Sequence, residues 1–290
     1  IFPPEGAAFA VFRISLINFI SGTSFVKALT ENRFSIPSFI FIILLSNFVG
    51  SYIIYNKHHK GAIYMIGDMQ NWRPNVAGII EHARSMHPNT EVVSRLVSGE
   101  IHKTNYEEVC IRSRKLASAL EKDGIKKGDV DETLALNTYR HLEMYYGISG
   151  MGAITHTLNF RLHPEQAVYI INHAEDKMIF VELPFVPILE GLQDNLSTVE
   201  KYVVLCNEDE MPETSLKNAL SYEEYIKNGD ENYSWPEMDD DAACALCYTS
   251  GTTGNPKGVL YSHKSNILHA QVALTAMTIQ ADDSILMVVP

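Results

Sequence analysis

From Met65 onward, short apolar runs alternate with longer runs of helical period, and that alternation restricts the architecture more than any other feature. Strands of this kind are buried on both faces, and each connection between parallel neighbours must be a crossover helix. The expected fold class is therefore α/β, with mostly parallel sheets covered by helices. A helix is expected over 75–87, after Arg73-Pro74 and before Pro88, and short strands over 91–97 and 100–103 across Ser98-Gly99. Thr104-Asn-Tyr-Glu107 has the form of a capping box. The helix it would open places Tyr106, Val109, Cys110, Leu116, Ala117 and Leu120 on one side and stops at Gly124. Strands follow at 133–136, 153–156, 178–181 and 202–205, with helices through 141–146, over 165–173 and over 186–193. Pro164 suits the first turn of its helix, where a missing N–H costs nothing. Residues 207–241 read as a polar, acidic stretch.

With 46% hydrophobic residues in 290, the chain has ample material for a core. Its formal charge of −12 repels phosphate backbones and argues against nucleic-acid binding. Small anionic ligands remain compatible, because a local nest of backbone N–H groups outweighs a distant global charge. Four cysteines do not make a disulfide framework. Cys244 and Cys247 form a lone CxxC, but they lie in an apolar run that reads as a strand. At that spacing their side chains point to opposite faces, so they are read as core residues and not as a metal or redox pair. The acidic runs Glu208-Asp-Glu210 and Asp239-Asp-Asp241 are read as solvated loop surface.

Residues 1–64 differ in composition, with a net charge of +3 that leaves −15 for the rest. Residues 34–55 carry no charge, and as a helix they would be about 33 Å long, enough to cross a hydrocarbon core. Pro37, Asn47, Gly50 and several serines make that span a poor one. Three readings stand for this segment: sequence upstream of the true start, a membrane anchor, or an interfacial segment. Composition divides the chain into 1–64, an apolar N-terminal segment, and 65–290, of ordinary acidic globular composition.

The segment that carries chemistry is Tyr248-Thr-Ser-Gly-Thr-Thr-Gly-Asn-Pro-Lys-Gly258, leaving one apolar strand and entering another. Gly251, Gly254 and Gly258 allow the backbone to turn its N–H groups inward. Thr249, Ser250, Thr252 and Thr253 add hydroxyls that donate to phosphate oxygens or ligate a divalent cation. Lys257 adds one mobile positive charge. The loop suits the β- and γ-phosphates of a triphosphate with their magnesium. It is not a Walker A loop, in which Gly-Lys-Ser/Thr opens a helix; here Lys257 lies between Pro256 and Gly258 and a strand follows.

Thr249-Ser-Gly-Thr-Thr-Gly-Asn-Pro-Lys-Gly258 resembles the phosphate-loop signature of the adenylate-forming superfamily: acyl-CoA synthetases, luciferases and peptide-synthetase adenylation domains. Tyr139-Arg-His-Leu-Glu-Met-Tyr-Tyr146, Gly150-Met-Gly-Ala153, His156-Thr-Leu-Asn-Phe-Arg-Leu162 and Tyr169-Ile-Ile-Asn-His-Ala-Glu-Asp176 are similar to the medium- and long-chain fatty acyl-CoA ligase branch, including methylmercaptopropionate-type ligases. The resemblance runs from about Met65 to Pro290 and corresponds to the N-terminal part of the large domain. Two departures stand out. Asn159-Phe-Arg-Leu162 replaces the usual Asn-Pro-Arg-Leu, and Val130-Asp-Glu132 opens a strand where a more apolar start is expected.

The resemblance implies ATP-dependent activation of a fatty or similar carboxylic acid, first to an acyl-adenylate and then to an acyl-CoA. ATP, Mg2+ and coenzyme A are the implied cofactors and co-substrates. Thr249, Ser250, Gly251, Thr252, Thr253, Gly254 and Lys257 would hold the nucleotide, and Thr249 would ligate the metal. No catalytic residue is assigned, because the later motifs of the family have no counterpart here. The chain is expected to be inactive alone. The implied partners are fatty acid, ATP and CoA, with no nucleic acid, and the full-length enzyme of this family is compatible with a homodimer. The expected location is the cytoplasm, with membrane association only through residues 34–55. His156, His173 and His263 match family positions and are read as packing or surface groups, as are Trp72, Tyr145 and Tyr146.

Overall fold

A computed structural model describes residues 72–249 and 255–287. The readings made above for residues 1–64, including the span 34–55, lie outside the described residues. Within them the chain forms helix α1 (Val76–Met86), strands β1 (Glu91–Arg95) and β2 (Ile101–Asn105), α2 (Tyr106–Lys122), β3 (Val130–Leu134), α3 (Tyr139–Met151) and β4 (Ile154–Thr157). It continues with α4 (Pro164–Ala174), β5 (Met178–Val181), α5 (Val186–Leu192), β6 (Lys201–Val204), β7 (Leu220–Ser221), α6 (Tyr222–Ile226), β8 (Ala243–Thr249), β9 (Lys257–Ser262) and α7 (His263–Met277). Strands β1 and β2 pair as an antiparallel ribbon. The others form a seven-stranded sheet in the order β7-β6-β5-β3-β4-β8-β9, parallel except for the final β8–β9 pair. The expected mostly parallel α/β architecture is present.

Strand β5 shows how the layers arise. Its four residues are all buried, but alternation sends them to different cores. Met178 and Phe180 join Leu116, Leu120, Met144 and Ile148 from α2 and α3. Ile179 and Val181 join Ile170 and Ile171 of α4 and Leu189 of α5. A strand buried on both faces has no polar side to show, which explains its uninterrupted apolar sequence. Phe180 is wholly buried, so truncating it to alanine would cost about 3–5 kcal/mol.

Helix α3 is buried nearly all round, and small residues make that packing fit. A Cβ on Gly147 would fall 2.8 Å from Leu116 Cδ2, and one on Gly150 would fall 2.6 Å from Trp235 Cζ3. Gly152 ends the helix at φ 98°, a backbone conformation in which other residues are strained. Beneath α3 lies a charged network. Arg112 donates from Nε to Glu143 at 2.7 Å and bidentately to Glu223 at 2.9 and 3.0 Å. Arg140 reaches Glu223 at 2.9 Å and Asn207 at 2.7 Å, tying α3 to α6 and to the end of β6. Burial pushes the Glu143 carboxyl up to about 7, against the opposing pull of Arg112 and Tyr222.

Several sequence readings are corrected. The N-cap of α2 is Asn105, whose Oδ1 accepts from the Glu108 N–H at 2.9 Å. Thr104 stays in β2 opposite Val92, so the Thr104–Glu107 box does not form. The strand expected at 133–136 instead spans Val130–Leu134, because pairing with β4 and β5 on both sides fixes it there. The acidic stretch 207–241 holds regular elements that its polarity did not mark. It contains β7 and α6, and α6 buries Tyr222, Tyr225 and Ile226. No helix among the described residues is long and apolar enough to cross a membrane.

Candidate functional site

The site is built on the hairpin of β8 and β9 at the edge of the sheet. Strand β8 runs parallel to β4, with Thr155 opposite Ala245, His156 opposite Leu246 and Thr157 opposite Cys247. Its carboxyl end therefore points the same way as those of the central strands, where open α/β sheets bind ligands. Ser149 of α3 anchors its start, donating to the Cys244 carbonyl at 2.7 Å and sharing a 2.8 Å hydrogen bond with Thr155. Cys244 is buried, and its Sγ accepts from Asn266 Nδ2 at 3.0 Å. Cys247 lies on the opposite face, 3.4 Å from Thr157 Oγ1. All four cysteines are free thiols, and Cys244 and Cys247 do not converge on a metal.

Of the residues assigned to the loop, Thr249 and Lys257 are described and Ser250, Gly251, Thr252, Thr253 and Gly254 lie outside the described residues. Thr249 and Lys257 are register partners across the hairpin, and both are exposed. Among the described residues, no carboxylate forms an ion pair with Lys257. The next rung joins Tyr248 to Gly258. A Cβ on Gly258 would meet Tyr248 Cζ at 3.2 Å and Leu246 Cδ1 at 3.1 Å, so the missing side chain lets the tyrosine ring lie across this rung. The Tyr248 hydroxyl is 2.6 Å from Nδ1 of His173, near the end of α4. That contact was not visible in the sequence, since 75 positions separate the two residues.

A second cluster lies deeper in the same sheet. His156 is fully buried, with Nδ1 2.9 and 3.0 Å from the two Asp176 oxygens and 4.0 Å from Glu132 Oε2. Burial holds its imidazole below the ordinary histidine range, and burial pushes both carboxyls well above theirs. Asp131, on the opposite face of β3, is pushed up to about 8 by burial and by its neighbour Asp129. The unusual Val130-Asp-Glu132 sequence was the only signal of this acidic interior. His263 is also buried, and its Nδ1 accepts from the Val76 N–H at 3.2 Å, capping contact between α7 and α1.

The described residues thus form a mostly parallel α/β sheet with helices, closed at one edge by the antiparallel β8–β9 hairpin. The chain belongs to the AMP-binding enzyme family, whose family model matches residues 80–290. It is 43% identical over 228 residues to a medium-chain-fatty-acid–CoA ligase of Ectopseudomonas oleovorans, covering 78% of this chain and 42% of the relative. It is 41% identical to a 3-methylmercaptopropionyl-CoA ligase of Ruegeria pomeroyi, again with 78% and 42% coverage. A long-chain-fatty-acid–CoA ligase of Thermus thermophilus is 40% identical over 218 residues, with 74% and 39% covered. The chain thus spans about two fifths of the length of the curated relatives it matches. Among solved structures, an anthranilate CoA ligase in complex with anthranoyl-AMP superposes with a TM-score of 0.63 at 25% identity, covering 71% of this chain and 38% of that one.

Proposed function

We propose that this chain supplies the triphosphate-binding part of an ATP-dependent acyl-CoA ligase acting on fatty or similar carboxylic acids. The observation that carries the reading is the Thr249–Lys257 rung, which sets a hydroxyl and an ammonium at the two roots of the loop. Phosphate oxygens suit both groups, and the exposed Lys257 has the reach to follow them. Thr249 offers magnesium one neutral oxygen ligand. A hard cation accepts such an oxygen, and the nucleotide's own phosphates would balance most of its charge.

In the chemistry proposed, a carboxylate oxygen attacks the α-phosphorus of ATP and the bond to the β-phosphate breaks, releasing pyrophosphate. The thiol of coenzyme A then attacks the acyl carbon, and AMP departs with the electron pair. Charge builds on the departing pyrophosphate during the first step. Magnesium, when held by Thr249, would supply charge neutralisation there; Lys257 and the loop hydroxyls would orient the leaving group and stabilise it. Residues 250–254 would complete the cradle.

The test is ATP–pyrophosphate exchange with short to long fatty acids, using this chain extended to the full length of its relatives. Exchange stimulated by a fatty acid supports the reading. Exchange stimulated only by amino or aryl acids would move the substrate class, and nucleotide binding without any exchange would leave a non-catalytic nucleotide-binding protein.

A further inference from the structure

Glu132 and His156 are register partners in β3 and β4, so their side chains stand side by side on one face of the sheet. Asp176 enters the same space from the connection between α4 and β5. All three are 0% exposed, and their nearest donor atoms lie within 4.8 Å of one another. His156 Nδ1 already bonds Asp176, and the Glu132 carboxyl, which no N–H among the described residues reaches, lies against that of Asp176 and beside the imidazole. Among the described residues, no lysine or arginine forms an ion pair with either carboxylate. The interior of the sheet therefore holds two acidic groups and a neutral imidazole without a positive charge to balance them. Two ionised carboxylates would be costly there without a counter-charge, which either a bound proton or a cation can supply.

We propose that Glu132, His156 and Asp176 form a buried site for one divalent transition-metal cation of the zinc or manganese class. One imidazole nitrogen and two carboxylate oxygens make a donor set for such ions, harder than the thiolate sets that select copper(I) or iron–sulfur clusters. Bonds of about 2.0–2.2 Å place the donors of a tetrahedral ion roughly 3.3–3.5 Å apart. The observed Nδ1 separations, 2.9 Å to Asp176 and 4.0 Å to Glu132, lie on either side of that value, and all three donors lie within 4.8 Å of one another, so side-chain adjustment alone would bring them onto one ion. Nδ1 is free of its proton when it ligates, and Nε2 then carries it. Three elements distant in sequence would be fastened by one ion. The ring of Tyr248, at the root of the loop, is 5.3 Å from that of His156, so the ion would stiffen the floor below the hairpin. The inference does not depend on the nucleotide reading.

The alternative occupant is a proton shared between the two carboxyl groups, and the experiment separates the two. The purified chain is stripped with chelator during unfolding, refolded and titrated with Co2+ and, separately, with Zn2+. The expected result is one cobalt equivalent with the visible absorption of a four- or five-coordinate ion, and a melting temperature raised by Zn2+. Glu132→Gln keeps the shape and removes a charged ligand, and should weaken binding at least tenfold. Asp241→Asn, in the exposed acidic run, should leave both readouts unchanged. The proposal is overturned if the wild-type chain shows neither the cobalt band nor the zinc shift, or if Glu132→Gln retains both. A Glu132→Gln chain that is stabilised while the wild type takes up no metal would assign the space to a shared proton.

Discussion

Thr249 and Lys257 occupy one rung of the β8–β9 ladder, the last before the chain leaves the sheet. One backbone pairing therefore fixes both roots of the loop that contains residues 250–256. A ligand held by that loop feels the geometry of the rung below it, where Tyr248 faces Gly258. The hydrogen bond between Tyr248 and His173 ties the hairpin below the loop to α4.

Gly258→Ala should disturb that base. Its Cβ would press on the Tyr248 ring and on Leu246, forcing one of them to move by a few tenths of an ångström. The expected cost is about 1–3 kcal/mol of stability, together with weaker nucleotide binding. Tyr248→Phe keeps the ring and loses only the hydrogen bond to His173, so it should cost about 0.5–1.5 kcal/mol. Chemical denaturation of the two variants measures both values.

Three buried carboxyls should make stability depend on pH. Asp131 is pushed up to about 8, and Glu143 and Glu182 to about 7, in each case chiefly by burial. Each binds its proton more tightly in the folded chain than in the unfolded one. Their contribution is therefore fully present below about pH 4 and is lost as pH rises through 7 to 8. Each group adds a slope of up to about 1.4 kcal/mol per pH unit. Asp131→Asn should flatten the profile between pH 5 and pH 8, as assigned by the about-8 value of the group removed, and raise stability at the upper end. Denaturation midpoints across that range provide the check.

Gly229 and Gly191 should respond oppositely to alanine. A Cβ on Gly229 would fall 2.1 Å from the Lys115 carbonyl oxygen, a backbone atom that cannot swing away. Gly229→Ala should therefore destabilise by about 2–3 kcal/mol or more. Gly191 lies in α5 with no heavy atom within 4 Å of the new carbon. Gly191→Ala should be neutral or stabilising by up to about 1 kcal/mol. Thermal melts of the pair distinguish close packing from helix propensity.

The sequence was most informative where local and tertiary preferences agreed. Met178–Val181 was legible residue for residue, because a strand buried on both faces is apolar throughout. Pro164 marked the start of α4 for a purely local reason. Strand β3 misled, since its register is set by neighbours on both sides, and that pairing draws Asp131 and Glu132 into the interior against their polarity. Helix α6 was hidden for a related reason: only a few apolar side chains in an acidic stretch carry its burial. For the site, the expectation rests on the Thr/Ser/Gly composition of residues 249–258, of which 250–254 lie outside the described residues. The contact of His173 with Tyr248 depends on how α4 meets β8, which no local pattern encodes.

The central claim is that the loop between Thr249 and Lys257 holds the phosphates of ATP, and calorimetric titration tests it most directly. Magnesium-ATP and magnesium-pyrophosphate are titrated into the chain and into its Lys257→Ala variant, with circular dichroism confirming that both are folded. Losing one charged contact to phosphate is worth about 1.5–3 kcal/mol, so the variant should bind both ligands about 10–100-fold more weakly. Equal affinity of the two proteins for pyrophosphate would contradict the account.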